Sequence, residues 1–413
     1  MLRYMKIWIK YLIGCTLGIL MAFFLPFENP AFESVLNFCT ELTVRMGRYF
    51  LLPVLFFGIT LAVAKLRSEG KLLRTGIFTG LCALTLTLIT TFIGVFSVLI
   101  IKMPRIPISA ENISEPVFLN IPQRLLSLFP YNGIAGLFDG DFLLPLFVLA
   151  GFTGAGFASD TLKSKPALTL FDTLAKTSYA VLSFFTDVIA IGMIAVSCTW
   201  ALSFFSLLKK GTFTGLIVLL FVDSLLIIGI LFPLLLRILC RERHPYKVLF
   251  AGIAPIIGAL FSGDVNFGLA LNLRHADDSL GVRHRIGTVS MPLFSIFAHC
   301  GSALVIAVSF VTVLRSYSSL GIFFGDIIWI TGMSFAVSFC LGAIPAGGPF
   351  AALTVLCALY GRGFETAYLL LKPAAFIICA LAAAVDTAAS LFGAYYIASR
   401  EKMIVHKDLK HYV

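Results

Sequence analysis

Long apolar stretches recur along this 413-residue chain, and they limit its fold more than any other feature of the sequence. A helix that crosses a membrane needs roughly 20 consecutive apolar residues, so the chain has material for about eight crossings. Only 13% of the residues are charged and the mean hydropathy is +0.99, whereas a soluble domain needs far more charge to cover its surface. The sequence therefore predicts an all-α polytopic membrane protein.

Eight segments have the hydropathy of spans, and the chain is predicted to form one membrane unit. They lie at about residues 7–25, 49–64, 76–101, 122–158, 167–207, 212–239, 285–314 and 367–398. The last span carries one carboxylate, Asp386, and the fourth is interrupted by Pro130, Asn132, Gly133, Gly136 and Gly140. A charge at such a depth is costly, so we expect Asp386 to face protein or water and to have a partner.

Lysine and arginine are unevenly distributed among the connecting segments. Of the 31 such residues, 20 lie at the two termini and in alternate loops. By the positive-inside rule, both termini are predicted to be cytoplasmic in a multi-pass protein of the plasma (inner) membrane, with residues 401–413 as a cytoplasmic tail. The basic residues that give the net charge of +10 therefore set the orientation of the protein in the membrane, and they do not indicate a nucleic-acid partner.

The sequence carries no pattern typical of an enzyme or of a resident metal. Its nine cysteines are scattered through apolar runs without a CxxC pair, so they predict neither a disulfide framework nor a zinc site. It has neither a phosphate-binding glycine loop nor a nucleophile elbow. We therefore expect no catalytic residues and no cofactor.

Two apolar segments in the second half are interrupted at their centres. Residues 246–273 are interrupted at Ser262–Asn266, and residues 326–359 at Gly342–Pro349. Basic residues flank both ends of the first segment, so it should enter from the cytoplasm and return there. Non-helical backbone at membrane depth is stable only where protein or a water-filled cavity satisfies its polar groups. These segments are predicted to be re-entrant helical hairpins; the alternative is that the breaks are kinks in ordinary spans.

Between the two hairpins, the seventh span has the polar, weakly helical sequence Ala298-His299-Cys300-Gly301-Ser302 at its centre. A helix that begins after a break presents free N–H groups suited to an anion, and unwound carbonyl groups suit a cation. We expect the two hairpin tips and this break to meet near Asp386. This arrangement is typical of a transporter's binding site.

These features resemble the dicarboxylate/amino acid:cation symporter family, which includes the glutamate transporters. The run Gly281–Ile286, followed by Met291-Pro292-Leu293 and Gly301–Leu304, is similar to the family's Gly-Val-Asp-Lys-Arg, Leu-Pro and Asn-Met-Asp-Gly-Thr-Ala-Leu sequence. Ala343–Gly348 is similar to its Gly-Ile-Pro-x-x-Gly tip. The resemblance implies eight transmembrane helices plus two re-entrant hairpins, a homotrimer, and an elevator mechanism.

The resemblance also implies two functional parts. A scaffold-like part, residues 1–70 and 118–210, would hold the trimer together. A transport-like part, residues 71–117 and 211–400, would carry the solute across the membrane.

The chain departs from the family where ligands are expected. The signature's Asn, Met, Asp, Gly and Thr fall on residues 298–302, so the side-chain ligands of the family's sodium sites are largely missing. In the last span, Cys379–Ser390 has no arginine to hold a substrate side-chain carboxylate. Transport of acidic amino acids therefore does not follow from the resemblance.

Two sets of site residues are predicted. The substrate-binding set comprises the two tips and the polar positions of the last span: Gly263, Asp264, Val265, Asn266, Ile344, Pro345, Ala346, Gly347, Gly348, Asp386 and Ser390. The cation-coupling set comprises the break and its facing carboxylate: Ala298, His299, Cys300, Gly301, Ser302 and Asp386. Asp264 and Asn266 could also cap the second arm of the first hairpin, a role compatible with binding. His299 could titrate near neutral pH; the alternative is a neutral, hydrogen-bonded ring.

The sequence thus predicts a cation-coupled secondary active transporter of a small polar organic solute, an amino acid or a dicarboxylate. Sodium and the proton are equal alternatives as the coupling ion, and no other metal is expected. Two other functions fit the same fold: an uncoupled channel or facilitator, and a non-transporting membrane sensor or scaffold.

Overall fold

The computed structural model describes residues 6–24, 30–101, 103–107, 126, 132, 134, 137, 138, 140–160, 163–317, 322–405, 407 and 412. Within these ranges every extended regular element is a helix. Two isolated antiparallel β-bridges are also described: Asp264 pairs with Ala346, and Val282 pairs with Ile404. The all-α prediction is confirmed for the described part of the chain.

Sixteen α-helices are described, and we number them in chain order. They are α1 Ile7–Phe24, α2 Pro30–Tyr49, α3 Leu51–Ser68, α4 Leu72–Ile100, α5 Leu143–Ser159, α6 Lys165–Lys210, α7 Thr214–Leu226, α8 Phe232–Leu239, α9 Tyr246–Ala251, α10 Ile253–Ser262, α11 Val265–Asp278, α12 His284–Phe297, α13 Cys300–Tyr317, α14 Phe324–Ser338, α15 Gly348–Tyr360 and α16 Ala375–Arg400. A π-helical turn, Ile227–Leu231, joins α7 to α8, and 3₁₀ turns lie at Phe339–Ala343 and Ala367–Ala374.

Eight helical segments among the described residues are long and apolar enough to cross a membrane. They are Ile7–Phe24, Phe32–Ser68, Leu72–Ile100, Lys165–Lys210, Thr214–Leu239, His284–Tyr317, Phe324–Gly342 and Ala367–Arg400. Seven coincide with predicted spans. The eighth, Phe324–Gly342, is the first arm of the predicted second hairpin. The predicted fourth span is described only as the shorter helix α5, because much of residues 122–139 lies outside the described part.

The second span begins earlier than predicted. Helices α2 and α3 together form a 37-residue segment, Phe32–Ser68, instead of the predicted 49–64. The difference arises from α2, whose four charged residues lower its hydropathy although its backbone is helical. Glu33, Glu41, Arg45 and Arg48 all lie on this helix.

The centre of the molecule is built from the broken seventh span and the last span. The most apolar stretch of His284–Tyr317 is 94% buried and that of Ala367–Arg400 is 72% buried. The corresponding stretch of α1 is only 33% buried. A Cβ atom on Gly301 would lie 2.4 Å from the Ala382 carbonyl oxygen, so a glycine is needed for the close approach of α13 to α16. The predicted cation-coupling residues therefore lie in the best-packed region.

Both predicted interruptions are turns between two helices. Helix α10 ends at Ser262, Gly263 adopts a left-handed conformation with φ of +64°, and α11 begins at Val265. In the second hairpin, Gly347 has a φ of +78° and immediately precedes α15. Glycine adopts positive φ without strain, so both tips depend on it.

Candidate functional site

The two hairpin tips are joined through their backbones. Asp264 and Ala346 form an antiparallel bridge, and the Val265 N–H donates a hydrogen bond to the Pro345 carbonyl at 3.1 Å. Each tip thus supplies partners for polar backbone groups of the other. The two tips therefore contact each other directly, while Asp386 does not line the cavity beside them.

Asp264 caps the second arm of the first hairpin. Its Oδ1 accepts the backbone N–H groups of Asn266 at 2.8 Å and Phe267 at 3.2 Å, which is the geometry of a helix N-cap. Its Oδ2 lies 3.1 Å from Nη1 of Arg48, and the Asp264 side chain is 1% exposed. The capping alternative for Asp264 is therefore correct, with a buried ion pair in addition.

Arg48 ties this tip to the stretch before α5. Its guanidinium donates to the Gly140 carbonyl at 2.8 Å and also to the Asp141 carboxylate. Nδ2 of Asn266 donates to the Asp141 carbonyl at 3.3 Å and to the Gly140 carbonyl at 3.4 Å. Arg48 was not predicted as a site residue; its only signal in the sequence is an arginine in the last turn of a helix beside apolar residues.

Asp386 closes the end of the helix that follows the break in the seventh span. Its Oδ1 accepts the N–H groups of Gly301 at 2.7 Å and Ser302 at 3.4 Å, and its Oδ2 accepts the Ser302 hydroxyl at 2.6 Å. The helix dipole favours a negative charge at this end. Asp386 is 1% exposed, so its predicted need for a partner is met by α13.

His299 lies within the same cluster. Its Nε2 is 3.0 Å from the Ile296 carbonyl oxygen, which can only accept, so Nε2 carries the proton. Its Nδ1 is then the acceptor in a neutral ring, and it lies 3.7 Å from Oδ2 of Asp386. Protonation of Nδ1 would place a positive charge beside that carboxylate. At 3.7 Å the two side chains lie within ion-pair range without a direct hydrogen bond.

Threonines of α4 flank the break from the other side. The Thr90 hydroxyl donates to the Cys300 carbonyl at 2.9 Å, and the Thr87 hydroxyl lies 3.7 Å from the Cys300 thiol. Both threonines are fully buried. Neither threonine was predicted from the sequence. Threonines in an apolar helix usually bond to their own backbone, and only the fold brings these two to the break.

A cavity of about 400 Å³ lies beside the joined tips. Gly263, Ala346 and Gly347 contribute the tips, and Cys379 and Ala380 contribute the last span. Half of the remaining lining residues come from α2 and α6, and the set includes hydroxyl and aromatic side chains: Thr40, Val196, Thr199, Trp200, Ser203, Phe261, Ser262, Phe350, Ala375 and Phe376. All of the described lining residues are uncharged.

The predicted site residues thus separate into two clusters. Gly263, Ala346 and Gly347 line the cavity, while Asp264, Val265, Asn266 and Pro345 make the tip contacts. Asp386, His299, Gly301 and Ser302 form the cluster at the break. Asp386, which belongs to both predicted sets, does not line the cavity.

The other predicted residues have local roles in this structure. Ser390 donates its hydroxyl to the Met291 carbonyl at 3.3 Å, which joins α16 to α12. Ala298 ends α12 through a bond from its N–H to the Phe294 carbonyl, and the Ile344 N–H bonds to the Leu341 carbonyl. Gly348 begins α15. In the described part of the chain, no group of three or more His, Cys, Asp or Glu residues has the arrangement of a metal site.

Comparison with known proteins gives one match. The model of the sodium:dicarboxylate symporter family matches residues 7–399, which include both hairpins, the broken span and the last span. A search of curated proteins found no matching relative. The match thus covers both clusters of the candidate site.

Proposed function

The chain belongs to the sodium:dicarboxylate symporter family, and from this premise we propose that it is a secondary active transporter that moves a small organic solute by an elevator mechanism. Membership of a transporter family, together with the apolar helices, supports a multi-pass membrane protein that carries small molecules.

The observation that carries this proposal is the contact between two hairpin tips beside one cavity. The return arms α11 and α15 have 14 and 13 residues, so they are about 21 and 20 Å long. A hydrocarbon core is about 30 Å thick, so neither return arm spans it alone. Tips that end inside the membrane need partners for their backbone groups, and the bond from Val265 to Pro345 supplies one. These lengths support re-entrant hairpins.

We place the moving boundary between a scaffold-like part, residues 1–70 and 118–210, and a transport-like part, residues 71–117 and 211–400. Polar contacts bridge this boundary: Arg48 meets Asp264 at 3.1 Å, and Arg274 meets Asp187 at 3.4 Å. The Asp187 side chain is 39% exposed, so this carboxylate can exchange Arg274 for water. This supports a sliding interface, with the scaffold-like part as the site of assembly into a homotrimer.

The coupling ion would act at the break of the seventh span, with two alternatives. A proton would bind Nδ1 of His299, which faces Asp386 at 3.7 Å. A sodium ion would use the Asp386 carboxylate with unwound backbone carbonyl oxygens, and it would have to displace the Ser302 hydroxyl from Oδ2. Either ion would change the net charge beside the N-terminus of α13, where Asp386 accepts hydrogen bonds. Coupling would therefore act on this end of the helix.

Uptake by purified protein in liposomes tests the proposal. A panel of radiolabelled amino acids and dicarboxylates is offered under an inward sodium gradient, an inward proton gradient, or neither. The proposal predicts accumulation of at least one solute that needs one of the gradients. Equilibration without accumulation would instead indicate a facilitator, and no uptake of any solute would favour a non-transporting sensor or scaffold. We expect the protein in the plasma (inner) membrane, with both termini cytoplasmic.

A further inference from the structure

We propose that the tip cavity binds a neutral solute with a bulky apolar side group, such as an aliphatic or aromatic amino acid, and discriminates against dicarboxylates. This inference rests on the proposed function as a solute transporter and names the class of solute. It departs from the dicarboxylate in the family's description, and the reason lies in the chemistry of the lining.

Aromatic side chains form much of the cavity wall. Trp200 of α6 lies edge-on to Phe261 of α10, with ring centroids 5.2 Å apart, and within 6.4 Å of Phe376 of α16. Phe350, at the start of α15, completes the set from the second hairpin. Rings from four different helices thus line the space, Trp200 on the scaffold-like part and the other three on the transport-like part. An apolar side group would bury surface against them.

The polar groups of the lining are neutral. They are the hydroxyls of Thr40, Thr199, Ser203 and Ser262, together with the backbone of the tips. Such groups can bond an amino acid's ammonium and carboxylate, but none of them neutralises a second carboxylate. Burial of an unpaired charge is costly, so a dicarboxylate would lose its hydration without compensation.

The cation at the first tip is already engaged. Arg48 approaches the first tip, but it is paired with Asp264 and Asp141 and bonds the Gly140 carbonyl. It does not line the cavity. To bind a solute carboxylate it would have to leave Asp264, whose charge would then be buried without a partner. Arg48 is therefore a structural cation and is not available for substrate.

The helix ends indicate how a solute with one carboxylate would be oriented in the cavity. The N-terminus of α11 is closed by the Asp264 carboxylate, which disfavours a second anion there. The N-terminus of α15 has no side-chain cap, and Gly347 and Phe350 at this end line the cavity. A single carboxylate would face α15 and place its side group towards the rings.

Cavity size agrees with this class of solute. A volume of about 400 Å³ lies within the range of about 300–1,000 Å³ that small-molecule sites occupy. It accommodates a leucine or phenylalanine with a few water molecules.

Binding to the purified full-length protein tests the inference. The probes are L-leucine, L-phenylalanine, L-aspartate and succinate, each with and without sodium and at two pH values. The midpoint of thermal unfolding is measured at increasing concentrations of each probe, and the result is the concentration that gives half of the maximal increase. We expect half-maximal stabilisation by leucine or phenylalanine at concentrations at least tenfold lower than by aspartate or succinate. Preference for aspartate or succinate would overturn this inference and leave the proposed function intact. If no probe binds and no solute is taken up in liposomes, the proposed function fails and the inference with it.

A matched pair of variants locates the binding to this cavity. Ser203 lines the cavity and Ser206, one turn further along α6, is exposed and does not. Ser203→Trp should fill the space and raise the half-maximal concentration for phenylalanine at least tenfold, whereas Ser206→Trp should change it less than twofold. Equal effects of the two variants would show that the solute binds elsewhere and would contradict the inference.

Discussion

Asp264 and Ala346 lie 82 residues apart in the sequence, and they form an antiparallel backbone bridge that joins the tips of the two hairpins. The bridge is short, and Val265 adds one hydrogen bond to Pro345 beside it. Polar backbone without secondary structure needs partners when it is removed from water. Each tip is therefore stable because the other is present, and separation of the tips would expose both.

Loss of the charge on Asp386 should affect ion coupling without loss of the fold. Asp386→Asn keeps the shape of the side chain but weakens its bonds to Gly301 and Ser302, which are worth roughly 1.5–3 kcal/mol each with a charged partner. We expect a lower unfolding midpoint and no stabilisation by the coupling ion. The measurement is thermal unfolding in sodium or choline chloride at two pH values.

Asp223→Asn is the matched control for that change. Asp223 is also a buried carboxylate in a span, and it accepts a serine hydroxyl, that of Ser97, at 2.6 Å. It lies away from the break, so this variant should lower the midpoint while the ion response remains. If Asp386→Asn retained a full ion response, the role of Asp386 in coupling would be disproved.

Arg48→Met should destabilise the first tip strongly. The change leaves Asp264 buried without its cation, which typically costs 3–5 kcal/mol. Arg48→Met combined with Asp264→Asn removes both charges and should recover much of that loss. A double-mutant cycle on the unfolding midpoint measures this coupling. Arg45 is the control: its side chain is 77% exposed and, among the described ion pairs, it is paired only with Glu41, so Arg45→Met should leave the stability nearly unchanged. If the effects of Arg48→Met and Asp264→Asn were simply additive, the ion pair between these residues would be refuted.

Glu242 predicts a pH dependence of stability. Burial raises the pKa of this carboxyl group, but hydrogen bonds from Lys247 and Tyr395 outweigh burial and hold the pKa below its usual value. A depressed pKa in the folded state stabilises the protein above the unfolded-state pKa, and this contribution is lost as the pH falls through the folded-state pKa. Glu242→Gln should therefore lower the unfolding midpoint at pH 7 and have a smaller effect in acid. An equal effect at both pH values would contradict the ion pair.

Gly301→Ala should disrupt the packing of the break. Its Cβ would lie 2.4 Å from the Ala382 carbonyl oxygen and 2.6 Å from the Val385 Cβ, and both belong to a fully packed helix. We expect a marked loss of thermal stability. Gly80→Ala, in α4, meets no atom within 4 Å and should be neutral or stabilising, by up to about 1 kcal/mol. Similar unfolding midpoints for the two variants would show that α13 and α16 are less closely packed than described.

Much of the architecture was predictable because helix breaks are local. Gly263 and Gly347 lie at the tips where the sequence placed them, and the seventh span is interrupted at Ala298 and His299 as expected. The polar composition of α2 hid its helical backbone, because hydropathy detects apolar residues and not helices as such. The predicted fourth span lies partly outside the described residues.

The partners in the site were less predictable because they depend on contacts between distant segments. A single sequence shows that Asp386 needs a partner, but it does not show that the N-terminus of α13 provides it. The same holds for Arg48, which meets Asp264 across 216 residues of chain. Spacing can identify a polar residue in a span; only the fold assigns its partner.

The proposed binding site requires that both hairpins enter the membrane and return to the side they came from. Single cysteines in a cysteine-free variant test this in intact cells and inverted vesicles with an impermeant thiol reagent. Useful positions are Tyr246 and Arg283 at the ends of the first hairpin, and Phe323 and Arg362 at the ends of the second, all of which are exposed. We predict that both ends of the first hairpin react only from the cytoplasm and both ends of the second only from outside. Reaction of the two ends of one hairpin from opposite sides would show that it is an ordinary span and would contradict the account.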